Sequence, residues 1–459
     1  MSMSSITFLY FFLPLFMGAY ALTPQKHRAK ALLIGEWVYV GWGSLLALIP
    51  LFVSSMSAYL LGMLIDNRRN EKHSQTKFLI TIMAIELCFI NLSVLSSYGI
   101  IESRYIAAAF PPRAVFVYAL GSLSYCFDIY KGLTRCDHRF LLVASFIGFF
   151  PCLNAGPVMR FGNDFSQFEA PEISADKMSR GISLYLKGLV EKCVLSATVS
   201  GMWKQLTRLD ISGVSSATAL LGLIAAGMYV YFEFASITHM ASGIALMLGI
   251  ALPENFDHPF RAASVTEFAK SFNSTVTAWF DDYIFKPLSG ISENKACTAT
   301  ASVITGLLLS LWYGPGLSRA VFGVYAGILC FVEITLLKKP LAKLPRVLSV
   351  IMTLALVHIG IVFFVSNDTG YAISYILAIF GRNGMLIDNL TLYFFENFAV
   401  ILAVCLFITT GLAQFIYNKL GSSKINFLPY IRPVWQLGLL VLATAFLSGT
   451  AQQLTQLLD

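Results

Sequence analysis

The sequence predicts an all-α polytopic integral membrane protein of roughly 11 to 13 membrane segments, on three observations. Of its 459 residues, 57% are hydrophobic and 12% charged, whereas soluble domains carry about 25% charged residues. The mean hydropathy is +0.71. Apolar runs long enough to cross a bilayer alternate with short polar loops. This composition excludes a soluble enzyme, a disordered chain, a collagen-like fibre and a nucleic-acid-binding domain. The net charge of +7, from 32 Lys+Arg against 25 Asp+Glu, is too scattered for a nucleic-acid footprint. It fits cytoplasmic loops under the positive-inside bias. The eight cysteines form no CxxC pair or cluster, so neither a disulfide framework nor a zinc site is expected.

The first apolar run, 6–22, lacks the basic start and small-residue cleavage site of a secretory signal and reads as a retained span. A basic patch follows at Lys26, His27, Arg28 and Lys30. The apolar stretch 31–66 is too long for one helix but suits two of about 18 residues, turning near Gly41 and Gly43. A second basic loop holds Arg68, Arg69 and Lys72. Such a hairpin puts both basic loops on one side, the cytoplasmic one, with the N-terminus outside. Further spans are expected near 77–101, 114–130, 139–155, 181–201, 215–232, 236–252, 298–313, 318–336, 347–366, 392–417 and 433–449. The loop with Lys338, Lys339, Lys343 and Arg346 should be cytoplasmic. No second domain or transporter-type repeat is visible, so the whole chain, 1–459, reads as a single membrane domain.

Residues 253–297 break the pattern. They interleave Glu254, Asp257, His258, Arg261, Asp281, Asp282 and Lys286 with Phe268, Phe272, Trp279, Phe280 and Tyr283. The segment is too polar to span lipid. Two readings are open: an amphipathic helix lying in the interface, or a segment folded into the protein to line a polar cavity.

Several blocks, in order, resemble the membrane-bound O-acyltransferase (MBOAT) superfamily. PENFDHPFRAASVTEF and WFDDYIFKPLSG are similar to its PENFxxPYxAxSIxEFWRRWHISLSxWFRDYLYIPLGG. SYCFDIYKG (124–132), FFPCLNAGPVMRF (149–161), MYVYFEFASITHMASGIALMLGIALPENF (228–256) and LLSLWYGPGLSRAVFGVYAGILCFVE (308–333) match further blocks. The likeness is strongest to the bacterial branch, which holds the membrane subunit of alginate O-acetylation and the membrane protein of teichoic-acid D-alanylation. It implies an MBOAT-like helical bundle around a central tunnel, with N-terminal helices at 1–110, the family core at 111–336 and C-terminal helices at 337–459. It also implies acyl transfer in the bacterial inner membrane, from a cytoplasmic thioester such as acetyl-CoA to an extracytoplasmic polysaccharide or peptidoglycan. No bound cofactor or metal is implied. The implied partners are membrane lipid and an extracytoplasmic acetyltransferase or glycan-synthesis protein, with no nucleic acid.

The departures from the family pattern include all three of its core histidines and the Arg of WFRDY, which is Asp281 here. The WHG histidine, to which the resemblance assigns the role of general base, is Tyr313. The second histidine of that block is Ala326, and the WHIS histidine is Asn273. The surrounding frame is retained, including Trp279, Phe280, Asp282, Tyr283, Trp312 and Gly314. A phenol with a pKa near 10 is a poor proton acceptor at neutral pH, and losing general-base assistance costs about 10²–10⁴-fold. Tyr313 is therefore either a packed aromatic or a hydrogen-bond donor to a thioester or oxyanion. His239, where the family has Asp, is a candidate substitute base; the alternative is a core histidine bonded to a carbonyl or to Glu233. His358 reads as structural, and His258 sits at a variable position. His27, His73 and His138 fall in loops. Asn255, Trp279, Asp282, Tyr283, Trp312 and Arg160 are candidates for substrate or donor contacts. Three functions remain open: an active O-acyltransferase with a rearranged site, a catalytically inactive scaffold or conduit of the same fold, or a transporter.

Overall fold

The computed structural model describes residues 2–154, 156–292, 294–337, 340, 343–412 and 428–456. Among them there is no β-strand, only an isolated antiparallel bridge between Phe256 and Phe272. Among the described residues, seven helices are long and apolar enough to cross a membrane: Leu45–Asn67, Lys72–Ser97, Ser216–Met247, Lys295–Trp312, Leu317–Leu337, Arg346–Val365 and Asn389–Thr409. Shorter apolar helical stretches cover Phe8–Leu22, Phe140–Cys152, Thr369–Ile379 and Pro433–Gly449. The chain is an all-α, multi-pass membrane protein. Lys338, Lys339 and residues 413–417 of the expected last-but-one span lie outside the described residues.

The helix boundaries correct the sequence reading in three places. The spans expected at 215–232 and 236–252 are one helix, Ser216–Met247. Its Glu233 is accommodated in this apolar helix because Lys192 Nζ and Ser196 Oγ (2.9 Å) hold the carboxylate. At 32 residues it is about 48 Å long, well beyond the ~30 Å hydrocarbon core. The span expected at 139–155 is helical only over Phe140–Ile147. Gly148 ends it, and a short 3-10 turn at Phe150–Cys152 contains Pro151. A helix that the sequence reading missed, Thr369–Ile379, starts at an N-cap where the Asp368 carboxylate accepts from the Tyr371 N–H at 2.8 Å.

Contacts group the chain into two compact units. The first holds residues 1–186 and 237–253. In it, the helices Leu48–Asn67, Lys72–Ser97 and Pro112–Tyr130 pack on one another. The family-like block at 124–132 has a structural task there. Asp128 Oδ2 accepts from the Gly162 N–H (3.0 Å) and Ser124 Oγ from the Phe161 N–H (3.0 Å), which ties down the non-helical strip after Pro157. Asn154 Nδ2 donates to Tyr39 Oη at 2.7 Å.

The second unit holds 187–236 and 254–459. It contains the hairpin of Lys295–Trp312 and Leu317–Val332. Gly306, Gly323 and Gly327 bring the two backbones together, as small residues do between membrane helices. A Cβ on Gly323 would lie 2.6 Å from the Gly306 carbonyl oxygen, and one on Gly327 2.6 Å from that of Ser302. Gly323→Val is accordingly expected to force the hairpin apart at a cost of about 1–3 kcal/mol or more. A lower melting temperature and reduced monodisperse yield in detergent would show it; a variant as stable as the parent would refute the close-packing account. Asp388 fixes two helix starts in this unit. Its carboxylate accepts from the Thr391 N–H (2.8 Å), Thr218 Oγ1 (2.7 Å) and the Ser215 N–H (3.1 Å).

Candidate active site

The mixed segment 253–297 is not one helix. It folds into short pieces at Pro259–Arg261, Val265–Ser271 and Ser274–Phe280. The break between the last two is Asn273, whose backbone is left-handed (φ 51°), a conformation asparagine tolerates better than most residues. Two backbone hydrogen bonds hold this turn against the PENF strip at the Phe256–Phe272 bridge: the Asp257 N–H to the Ser271 carbonyl (3.0 Å) and the Ser274 N–H to the Asn255 carbonyl (2.9 Å). The neighbouring helix is fixed at its start, where Glu333 accepts from the N–H groups of Val265 (2.6 Å) and Thr266 (3.3 Å).

Three of the sequence candidates form one hydrogen-bonded chain. Asn255 Nδ2 lies 2.6 Å from Asn273 Oδ1, and Asn273 Nδ2 lies 2.8 Å from Tyr313 Oη. The direction of this chain follows from its far end. The backbone N–H of Thr275 can only donate, and it points at Asn255 Oδ1 at 3.0 Å, joined by Thr275 Oγ1 at 2.7 Å. Asn255 must then present its NH₂ to Asn273, which accepts through Oδ1 and presents its own NH₂ to Tyr313. Tyr313 Oη is thus an acceptor on this side, and its own O–H proton is left to point elsewhere. Asn255 and Asn273 are almost wholly buried, so leaving either amide unpaired would be costly.

Tyr313 borders a cavity of about 120 Å³ in the second unit. Phe268, Phe272, Tyr325 and Phe364 wall it, with the small residues Gly306 and Ala326 giving it room. The Tyr313 ring packs on Phe234 (centroids 4.7 Å apart) and Phe364 (5.4 Å). Two positions where the family pattern has histidine, 313 and 326, therefore border one cavity. The third, 273, is bonded to the first. Phe268 and Phe272 put part of the mixed segment in the cavity wall, but that wall is apolar and not the polar one expected, because the segment's apolar side chains and none of its charged ones line it.

The remaining candidates lie elsewhere. Trp279 and Tyr283 pack ring on ring (4.8 Å), and Trp312 is buried beside Tyr313 in sequence. Asp282 pairs with Lys286 (2.5 Å), which also meets Asp281 at 3.0 Å. Its hydrogen bonds to these carboxylates, Asp282 foremost, push the Lys286 ammonium above its ordinary pKa. Arg160 and His239 belong to the first unit. The Arg160 N–H is accepted by Asp164 Oδ2 at 2.8 Å, and His239 is half-buried. His358 Nδ1 donates to the Leu354 carbonyl (2.7 Å), and its ring lies where a Cβ on Gly227 would sit, in keeping with a structural role. Sequence reasoning did not single out Thr275, which sets the polarity of the chain, or the Lys192–Glu233 pair. A charged residue in each of two apolar stretches was the available signal for that pair.

Among known proteins, residues 131–339 match the family model of the membrane-bound O-acyltransferase family, MBOAT. Proteins named probable alginate O-acetylase AlgI are similar over most of the chain. The one from Pseudomonas aeruginosa is 28% identical over 79% of this chain and 72% of its own length. The one from Azotobacter vinelandii is 27% identical over 92% of this chain and 88% of its own. The peptidoglycan O-acetyltransferase of Helicobacter pylori is 22% identical over 84% of this chain and 80% of its own length.

Proposed function

We propose that this chain, whose residues 131–339 match the model of the membrane-bound O-acyltransferase family, is the membrane component of a cell-surface glycan O-acylation system. In this reading it sits in the bacterial inner membrane with its basic loops in the cytoplasm. It passes acyl groups from a cytoplasmic thioester, acetyl-CoA or a similar donor, toward an extracytoplasmic polysaccharide or peptidoglycan. An extracytoplasmic acetyltransferase or glycan-synthesis protein is its partner.

The observation that carries this reading is the polarised chain ending at Tyr313 in a small apolar cavity. Transfer from a thioester to a hydroxyl forms a C–O bond and breaks a C–S bond, and the hydroxyl proton ends on the departing thiol. Negative charge develops on the carbonyl oxygen in between. A preorganised O–H donor in a water-poor site stabilises such charge. Tyr313, with its lone pair taken up by Asn273, is suited to donate and not to act as base. The cavity also fits a short acyl group. At about 30 Å³ per non-hydrogen atom, taking the share of a water molecule, 120 Å³ holds about four, and an acetyl group has three.

The test is the acyl-ester content of the cell-surface glycan in a deletion strain and in the same strain given the wild-type gene back. Loss on deletion and recovery on restoration are expected. Unchanged ester content would sink the proposal. Restoration with His239→Gln checks the remaining imidazole candidate: full recovery removes it from the chemistry.

A further inference from the structure

The first unit carries a second, larger apolar groove, away from any residue used above. It runs between the antiparallel helical stretches Phe8–Leu22 and Arg28–Gly43. Phe11, Leu15, Thr23, Ala31, Ile34 and Trp42 are among the residues that line it. Leu15, Ile34 and Phe11 are 73%, 63% and 61% exposed. Gly35 lets the Phe16 ring lie directly against the second helix and form part of the floor, since a Cβ there would overlap the ring.

Three quantities say what fits. The groove volume is about 440 Å³; at about 30 Å³ per methylene-sized group this is room for roughly 15 carbons. Its length, from Phe11 to Thr23 along the helix, is about 18 Å at 1.5 Å per residue. That is close to one leaflet of a hydrocarbon core ~30 Å thick. Its Thr23–Ala31 end opens at the basic turn holding Lys26, His27, Arg28 and Lys30, with Lys26, His27 and Lys30 exposed. Arg28 Nη1 is held by the Pro171 carbonyl (2.8 Å), while its Nε is buried with no partner. An apolar slot one acyl chain in size, with cationic groups at one end, has the complementarity of a phospholipid with a negative headgroup.

We propose that this groove binds one acyl chain of an anionic phospholipid, with the headgroup phosphate held by the Lys26–Lys30 turn. The site is separate from the acyl-transfer reading and stands or falls without it.

The experiment uses the full chain purified in mild detergent and delipidated, then titrated with phosphatidylglycerol or phosphatidylcholine of identical chains and read by native mass spectrometry. One phosphatidylglycerol per chain is expected, bound in preference to phosphatidylcholine. Lys26→Gln with Lys30→Gln should weaken phosphatidylglycerol about fivefold per lysine, roughly 25-fold together, since each such charge contributes about a factor of five near a membrane surface. Groove filling by Ala31→Phe, or by the exposed Val38→Trp should the first not fold, should weaken binding at least tenfold. Equal binding of the two lipids, or an affinity indifferent to the lysine changes, would overturn the proposal. So would loss with the lysine changes but not with groove filling, because the headgroup would then bind the turn alone. A co-purifying polypeptide that occupies the groove in place of lipid would overturn it as well.

Discussion

Replacing Tyr313 with phenylalanine is expected to lower acyl transfer by about 10²–10³-fold, the usual cost of removing one donor to a developing oxyanion. The change removes a single oxygen. The ring keeps its packing on Phe234 and Phe364, so the fold should persist. Asn273 Nδ2 loses its acceptor in a buried place, which should also cost about 1–3 kcal/mol of stability. The measurement is glycan ester content in the restored deletion strain, with the level of the protein in the membrane as control. Asn273→Asp should be similarly damaging, for a different reason. A carboxylate there accepts from Tyr313 and draws its proton out of the cavity, reversing the last bond of the chain that Thr275 and Asn255 set. If Tyr313→Phe restores full ester content, the hydroxyl has no part in the chemistry. The protein is then a conduit or scaffold within the acylation system, the reading that the missing histidines leave open.

Enlarging Ala326 to leucine is the second change with a large expected effect. It adds three carbons, about 90 Å³ at the same volume per group, to a cavity of about 120 Å³. Little would remain for an acyl group, and ester content should fall at least 100-fold. Stability should hold or rise, because the new side chain fills space instead of displacing neighbours. Ala326 borders the cavity, while its neighbour Gly327 makes the close helix contact. A leucine variant with full activity would place the acyl group elsewhere. A variant with lost activity and an unchanged melting temperature would locate it here.

The two variants also separate how the site was legible. The sequence marked positions 273, 313 and 326 because each departs from a family block whose frame is kept. Nothing in sequence spacing says that residues 40 apart share a hydrogen bond, or that residue 326 borders the same space as residue 313. The mixed composition of 253–297 signalled a segment that does not span lipid, but it left two readings open. The choice depended on Asn273 adopting a left-handed turn and on Glu333 anchoring the helix beside it, contacts made at long range. The merged helix Ser216–Met247 has the same lesson. The expected gap between the two spans fell at Glu233, whose partner Lys192 lies 41 positions away.

What the sequence determined by itself is the membrane class, the helical architecture and the family-like blocks. These follow from local composition, since a chain this apolar must satisfy its backbone within helices to cross lipid. The tertiary structure alone decided which polar groups meet, and in which direction their hydrogen bonds run. That direction starts at the Thr275 backbone N–H, a donor whose identity is fixed by covalent structure, and passes through two amides to Tyr313. The sequence specifies each of those side chains, but only the fold puts them in line.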